Sequence, residues 1–454
     1  MGGGASNTAS EETATVGGGL LNSASGDSAT VGGGESNEAS APRTTIGGGL
    51  GNIASGTYGT IGGGQTNEAT NDWGTVSGGF DNTATGTYTA IGGGAANEAT
   101  ASFGTISGGQ FNDAMENYSS VGGGFTNSAE NTYATVGGGQ SNTASGTNAT
   151  VSGGSFNTAS SASATVGGGQ SNIASSGSAT TVGGGVENTA SGTGATVGGG
   201  GGNTAGNAYA TVGGGLLNTA SGTYATVPGG QSNIASSNYS FAAGRRAVAD
   251  DTGAFVWADS TDASFFSVVP NQFRVRATGG VQFVTNSANT TGVTLVAGSG
   301  TWASISDRNA KTAFAPVDSR AVLEQVTQLP ITTWQYRSEA GQVRHMGPMA
   351  QDFAAAFGLG ADDISITTVD ADGVALAAIQ GLHTLVQEQD AQINALQHDN
   401  ATLQQDNATL LTRLEALEQR VATQDTPSSA GVPLAALVGG VLGAVVLVLV
   451  RRTR

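Results

Sequence analysis

A fifteen-residue unit repeats from residue 1 to about residue 240, and its period restricts the possible folds more than any other feature. The unit reads T-[VI]-G-G-G-x-x-N-x-A-S-G-x-x-A, and one extra residue is inserted between two of its copies. An Asn follows each aliphatic residue by six positions, and an Ala follows that Asn by two. The aliphatic position is filled by Val16, Val31, Ile46, Ile61, Val76, Ile91, Ile106, Val121, Val136, Val151, Val166, Val182, Val197, Val212 and Val227.

Each unit is predicted to contain two short strands separated by glycine-rich turns, because residues two apart in a strand share a face. One strand includes Ala29 to Val31, and the other includes Asn22 to Ala24. A single unit buries too little apolar area to offset its own ordering entropy, so the coils must stack on one another. The predicted fold is therefore mainly β, beginning with a parallel β-solenoid or β-roll of 15-residue repeats.

The repeated Asn is predicted to form a hydrogen-bonded ladder that runs from coil to coil. A row of Asn side chains that binds a ligand is the alternative. The rest of the repeat presents mostly Gly, Ser, Thr and Asn, which fit glycan contact, self-association or inert spacing. A cell-surface or glycan ligand is therefore possible, but its identity is unknown.

Composition excludes several classes of partner. The formal charge is −18, and no run of basic residues exceeds two, which argues against nucleic acid and anionic membrane surfaces. The chain has no Cys, and its three His residues are scattered without a neighbouring His or carboxylate at metal-ligand spacing. We therefore predict no metal and no cofactor.

The repeats resemble the YadA-type head repeats of trimeric autotransporter adhesins, and this resemblance implies a homotrimer. Residues 239–246 (YSFAAGRR) and 253–259 (GAFVWAD) resemble the segment that joins such repeats to tail-fibre chaperones. We predict a head or shaft at residues 1–240 and a β-rich connector at 241–300. Met1 occupies the aliphatic position fifteen residues before Val16, so we expect further sequence, including a signal peptide, upstream of it.

Lys311 is the only lysine of the chain, and it lies five residues after Ser306. The other fourteen basic side chains are all Arg. A buried lysine can lose its proton whereas an arginine cannot, and a neutral lysine can deprotonate a serine hydroxyl. The alternative is that Lys311 is an ordinary surface residue in a chain that prefers Arg.

Three motifs near this lysine are similar to the endosialidase-type intramolecular chaperone, a self-cleaving peptidase family of phage tail fibres and bacterial surface proteins. They are Ser306-Asp307-Arg308 with Lys311, residues 344–353 (RHMGPMAQDF), and residues 369–373 (VDADG) leading into 379–382 (IQGL). The segment 301–380 is predicted to be a small α/β chaperone and autopeptidase domain. Within it we expect a strand at residues 330–336 and a helix at 349–357.

The resemblance implies that Ser306 is the nucleophile, that Lys311 is the general base, and that the bond between Ile305 and Ser306 is cut once per chain. A spacing of five does not place two side chains on one helical face, so either a turn or a neighbouring subunit must bring them together. Arg308 and His345 are predicted to have structural roles. The alternative is an uncleaved structural adhesin with a non-catalytic stalk derived from the chaperone.

The C-terminal part is predicted to hold the trimer together and to anchor it. Heptads at residues 379–423 predict a coiled coil with Asn400 and Asn407 at core positions. The resemblance to trimeric fibres implies that this coiled coil is trimeric. After a linker at 424–430, residues 431–450 carry no charge and are long enough for a transmembrane helix.

The basic tail at 451–454 predicts a cytoplasmic C-terminus, with the bulk of the chain at the cell surface. A hydrophobic sorting tail that is later removed is the alternative. Tail-fibre chaperones usually lack such a span, so here the chain resembles membrane-bound transcription regulators that use the same chaperone. Retention and release of the cleaved fibre are both open.

Overall fold

The computed structural model describes residues 2–339 and 341–424, which fall into two compact units. The first unit contains the residues up to Phe283 together with Val293–Ala303. The second contains Val284–Gly292 and the described residues from Ser304 onward.

The repeats of the first unit form a parallel β-solenoid, as the sequence predicts, with two short strands in each coil. The valine sheet, named for its inward Val or Ile, contains Thr15–Val16, Thr30–Val31, Thr45–Ile46, Thr60–Ile61, Thr75–Val76, Ala90–Ile91, Thr105–Ile106, Ser120–Val121, Thr135–Val136, Thr150–Val151, Thr165–Val166, Thr181–Val182, Thr196–Val197, Thr211–Val212, Thr226–Val227, Gly230–Gln231, Phe241–Arg245, Phe255–Ala258 and Phe273–Arg276.

The alanine sheet, named for its inward Ala, contains Thr8–Ala9, Ser23–Ala24, Glu38–Ala39, Ile53–Ala54, Glu68–Ala69, Thr83–Ala84, Glu98–Ala99, Asp113–Ala114, Ser128–Ala129, Thr143–Ala144, Thr158–Ala159, Ile173–Ala174, Thr189–Ala190, Thr204–Ala205, Thr219–Ala220, Ile234–Ala235, Ala247–Ala249 and Phe265–Phe266. In both sheets each strand pairs in parallel with the equivalent strand of the next coil.

The core of the solenoid is a narrow column of small side chains. Val121 and Ala114 are fully buried, as are their equivalents in neighbouring coils. The glycine triplets allow the coils to approach closely at the corner beside this column. At Gly139 the backbone has φ 99°, and an added Cβ would lie 2.1 Å from the carbonyl oxygen of Gly154 in the next coil. Only glycine fits such a position.

The repeated Asn residues form the predicted ladder inside the solenoid. Nδ2 of Asn112 donates to Oδ1 of Asn97 at 2.9 Å and to the carbonyl oxygens of Gly108 and Gly124 at 3.1 and 3.0 Å. Oδ1 of Asn112 accepts from the backbone amide and from Nδ2 of Asn127, both at 3.1 Å. Each side chain therefore satisfies polar groups in three successive coils.

The inserted residue widens one coil without ending the ladder. Gly177 has φ 69° and lies in the turn that takes up the extra residue. The backbone amide of Asn188 still donates to Oδ1 of Asn172 at 3.0 Å. The strands on either side, Thr165–Val166 and Thr181–Val182, remain paired in register.

Beyond residue 240 the sheets continue although the repeat does not. Phe241, Phe255 and Phe273 pair in successive strands of the valine sheet, and their rings stack with centroids 4.6 Å apart. Asp259 stabilises the C-terminal end of the solenoid through three hydrogen bonds. It accepts from the hydroxyl and backbone amide of Thr278 at 2.6 and 2.8 Å, and from Arg276 Nε at 3.0 Å. The hydrogen bonds from Thr278 lower the pKa of Asp259 below its usual range.

After the solenoid the chain forms a three-stranded sheet from Gly280–Val284, Gly292–Val296 and Trp302–Ser304. The second unit then contains a 3₁₀ turn at Arg308–Ala310, a hairpin of Thr332–Trp334 and His345–Gly347, and helices α1 (Ser319–Gln328), α2 (Ala350–Phe357) and α3 (Thr368–Gln424). The strand expected at 330–336 and the helix expected at 349–357 are therefore present. Helix α1 packs against α3.

The predicted fold class is wrong in its C-terminal part. Instead of a coiled coil that begins at residue 379, the structure contains one continuous helix, α3, that begins at Thr368. None of the helices within residues 2–339 and 341–424 could span a membrane. The predicted transmembrane segment at 431–450 lies outside the described residues.

We expect Asn112→Ala to lower the free energy of unfolding by at least about 2 kcal/mol, because each buried partner left without a hydrogen bond costs about 1–3 kcal/mol. The exposed Asn117 provides the matched control, and Asn117→Ala should change stability by less than about 0.5 kcal/mol. Guanidinium denaturation followed by circular dichroism measures both. Equal, small effects in the two variants would contradict a stabilising ladder.

Candidate active site

The predicted nucleophile lies directly after the last strand of the three-stranded sheet. This strand, Trp302–Ser304, leads into Ile305, whose backbone amide donates to the carbonyl oxygen of Gly292 at 3.0 Å. Ser306 follows as an exposed residue. The predicted scissile bond therefore joins a residue held by the sheet to a residue that begins a turn.

A local turn brings the chain back from Ser306 to Lys311. Oδ1 of Asp307 accepts from the backbone amide of Asn309 at 2.9 Å and from its side-chain amide at 3.1 Å. This Asp caps the 3₁₀ turn Arg308–Ala310, and the amide of Lys311 closes it by donating to the carbonyl oxygen of Arg308 at 3.2 Å. Asp is suited to this position because its short carboxylate accepts from backbone two residues ahead.

Ser306 and Lys311 meet within one chain. Nζ of Lys311 lies 2.5 Å from Oγ of Ser306, within hydrogen-bond distance. The sequence allowed either a turn or a neighbouring subunit to bring the two residues together, and the structure shows a turn within one chain. A charged lysine donates in this pair, whereas a neutral lysine would accept the hydroxyl proton, so the same contact serves a general base once the amine is neutral.

Both side chains of the pair are exposed in the single chain. Burial favours the neutral form of a lysine, and water opposes it. The single chain therefore supplies the contact between the two side chains but not the desolvation that a lysine base would require.

Arg308 and His345 lie in contacts that support the surrounding structure. The guanidinium of Arg308 lies over the ring of Phe314, 5.5 Å from its centroid. His345 is in the hairpin, where it pairs with Trp334 across the two strands. Next to it, Arg344 donates to the carbonyl oxygen and hydroxyl of Thr333 at 3.1 and 2.6 Å.

The structure also shows a cluster around His345 that the sequence motifs did not reveal. The His345 ring stacks on Trp334 with centroids 4.6 Å apart, and Tyr336 contacts it edge-on at 5.6 Å. Nε2 of His345 lies 3.0 Å from Oε2 of Glu339. The only available signal was the alternation of Trp334 and Tyr336 in a predicted strand, which places both rings on one face.

The motif at 379–382 has a packing role in the same unit. An added Cβ at Gly381 would lie 2.3 Å from the carbonyl oxygen of Ser319, so glycine lets the start of α1 approach α3 closely. Beside this contact, Arg320 donates to both carboxylate oxygens of Glu388 at 2.6 and 2.7 Å. The pair is exposed, so its contribution to stability is small, about 0–1 kcal/mol.

Across the part of the chain that the structure describes, no group of three or more His, Asp or Glu side chains is arranged to hold a metal ion.

Comparison with protein families identifies the segment that contains these residues. Residues 306–358 match the family model described as the chaperone of endosialidase, a family of self-cleaving chaperone domains. The match begins at Ser306 and ends after α2. No curated protein matches the chain. The similarity of residues 1–240 to YadA-type head repeats stays a prediction.

Proposed function

We propose that this chain, in which a chaperone-of-endosialidase domain follows a β-solenoid in the sequence, is a homotrimeric fibre protein that cuts itself between Ile305 and Ser306. The observation that supports cleavage most directly is the contact between the only lysine, Lys311, and the serine at which the family match begins. The domain is of a kind found in tail-fibre-like proteins with an intramolecular chaperone.

The proposed reaction uses the chain's own peptide bond as substrate. Neutral Lys311 accepts the hydroxyl proton while Oγ of Ser306 attacks the carbonyl carbon of Ile305. The C–N bond breaks as the lysine returns the proton to the departing amine of Ser306, which leaves an ester between Ile305 and the Ser306 hydroxyl. Water then hydrolyses the ester to give a carboxylate at Ile305 and a new N-terminus at Ser306.

Association of several chains is supported by apolar side chains that the single chain leaves exposed. Met346 of the hairpin is 76% exposed, and Leu396 of α3 is 66% exposed. Leu403, Leu410 and Leu417 follow at seven-residue intervals, here called the heptad row, and are exposed as well. Such a row leaves apolar surface that another copy of the chain can cover.

Trimer formation would also place cleavage after folding. The single chain leaves Ser306 and Lys311 exposed to water. Neighbouring copies that pack around the second unit would exclude this water and favour the neutral amine. Cleavage would then follow assembly, so that the chaperone domain separates only from a completed fibre.

Self-cleavage is tested by the intact mass of the purified full chain. The parent should yield two fragments, residues 1–305 and a fragment that begins at Ser306. Ser306→Ala should remain uncut, and Lys311→Arg should slow cleavage by about a hundredfold or more because Arg keeps its proton. Ser304→Ala, an exchange at an exposed serine two residues earlier, should cut like the parent. A single uncut mass for a folded trimeric parent would instead support an uncleaved structural fibre.

The dependence of cleavage on assembly is tested in α3. Leu396→Ser with Leu403→Ser should shift the full chain from trimer to monomer in analytical ultracentrifugation and should slow cleavage at least tenfold. Leu411→Ser makes the same exchange one residue outside the heptad row, and it should leave both the mass and the rate close to those of the parent. Cleavage at the parent's rate in a monomeric double variant would show that cleavage does not require assembly.

A further inference from the structure

One corner of the solenoid carries a continuous column of aromatic rings, here called the aromatic ladder. Neighbouring rings lie with centroids 4.0 to 5.9 Å apart and planes within 10° of parallel. The rings come from six consecutive coils, three positions before each inward Val or Ile: Tyr58, Trp73, Tyr88, Phe103, Tyr118 and Tyr133. From Trp73 onward each ring side chain is exposed, from 42% at Phe103 to 53% at Tyr133.

The fold does not require aromatic residues at this corner. The ladder residues have left-handed backbone, with φ of 59° at Tyr88 and 63° at Phe103, a conformation that disfavours bulky side chains. The next coils have Asn148 and Ser163 at the same position with φ of 56°, and the solenoid continues through them unchanged. The rings are therefore additional to what the coil needs.

The ladder is also poorly suited to be the contact between copies of the chain. A trimer of parallel solenoids repeats its contact in every coil, whereas the ladder covers six coils and then stops. Three further rings, Tyr209, Tyr224 and Tyr239, stack on one another only after an interruption that includes Asn148, Ser163 and Gly194. A surface confined to part of the shaft fits a separate ligand better than self-association.

The outer strip of the ladder has the chemistry of a sugar-binding surface. Because the rings stack face to face, their exposed edges rather than their faces meet the solvent, and ring edges carry the positive end of the aromatic quadrupole. Such edges complement oxygen-rich ligands. Each ring is preceded by a residue with a hydrogen-bonding side chain, and these residues are Thr57, Asp72, Thr87, Ser102, Asn117 and Thr132.

The negative charge of the ladder coils favours uncharged sugars over anionic ones. No Lys or Arg occurs between Arg43 and Arg245, while the ladder coils contain several carboxylates. Glu98 and Asp113 are direct neighbours in adjacent strands of the alanine sheet. Burial raises the pKa of Asp113, and the negative charges of Glu98 and Glu130 raise it further. Coils that carry carboxylates and no basic side chain repel an anionic polymer and tolerate an uncharged one.

We infer that the aromatic ladder binds an uncharged polysaccharide lying along the shaft. The ring edges contact the sugar rings, and the flanking hydroxyl and amide groups hydrogen-bond the sugar hydroxyls. Six coils at a spacing of about 4.8 Å give the strip a length of about 24 Å, enough for several sugar units. The inference concerns the solenoid alone and does not depend on cleavage at Ser306.

The test uses the full chain and isothermal titration with uncharged hexasaccharides of glucose, mannose, galactose and N-acetylglucosamine, and with a sialic acid hexamer. At least one uncharged hexasaccharide should bind the parent, and the sialic acid hexamer should not. Tyr88→Asn with Tyr118→Asn should weaken this binding at least tenfold. Asn is chosen because Asn148 holds the same position with the same backbone.

The matched control is Phe111→Asn with Phe125→Asn. These two rings are also exposed and lie in the same part of the solenoid, but outside the ladder. The control should bind as the parent does, and unchanged circular dichroism should show that both double variants remain folded. Absence of binding by every uncharged hexasaccharide, equal loss in the control, or binding of the sialic acid hexamer would overturn the inference. The cleavage assay reports on the C-terminal unit and would be unaffected in every case.

Discussion

The structure depends on hydrogen bonds between coils, because no coil can fold alone. One coil encloses little more than a Val or Ile, two small side chains and an Asn, too little apolar surface to offset the cost of ordering fifteen residues. The Asn ladder and the parallel strand pairs therefore distribute stability along the whole shaft. Each coil is stable only because its neighbours are formed, as in other solenoids.

This design creates a problem of register that explains the non-repeating C-terminal unit. Coils that are nearly identical can align in several ways, since a shift by one whole coil preserves most contacts within and between chains. The second unit contains no repeat, and its helix α3 presents a row of apolar side chains. A domain of this kind can set one alignment before the repeats pair.

Much of the solenoid was predictable from the sequence because its period and its core are the same feature. Val121, Asn112 and Ala114 recur at fixed spacing, and each is buried as expected. The continuation beyond residue 240 was not predictable from that period, because Phe241, Phe255 and Phe273 are separated by fourteen and eighteen residues although their strands still pair. Strand pairing fixes the spacing between successive coils, whereas the turns within a coil can vary in length.

The candidate site was predictable in its residues but not in its geometry. The only lysine of the chain and the motif at Ser306 indicate the pair in the sequence. The turn that brings Lys311 back to Ser306 depends on Asp307, whose capping role is common to many turns. The cluster of His345, Trp334 and Glu339 depends on a hairpin register that sequence does not specify. The C-terminal prediction failed because a heptad pattern also fits one long exposed helix, and α3 begins before the pattern does.

The role of the C-terminal unit in folding is tested most directly by refolding with and without it. The uncleaved full chain, as Ser306→Ala, and a fragment that ends at Ile305 would each be unfolded in guanidinium and diluted, and trimer recovery would be measured by ultracentrifugation and circular dichroism. We expect the full chain to regain a β-rich trimer and the fragment to fail to do so. Equal recovery by the fragment would show that the repeats align themselves and that the C-terminal unit is not their chaperone.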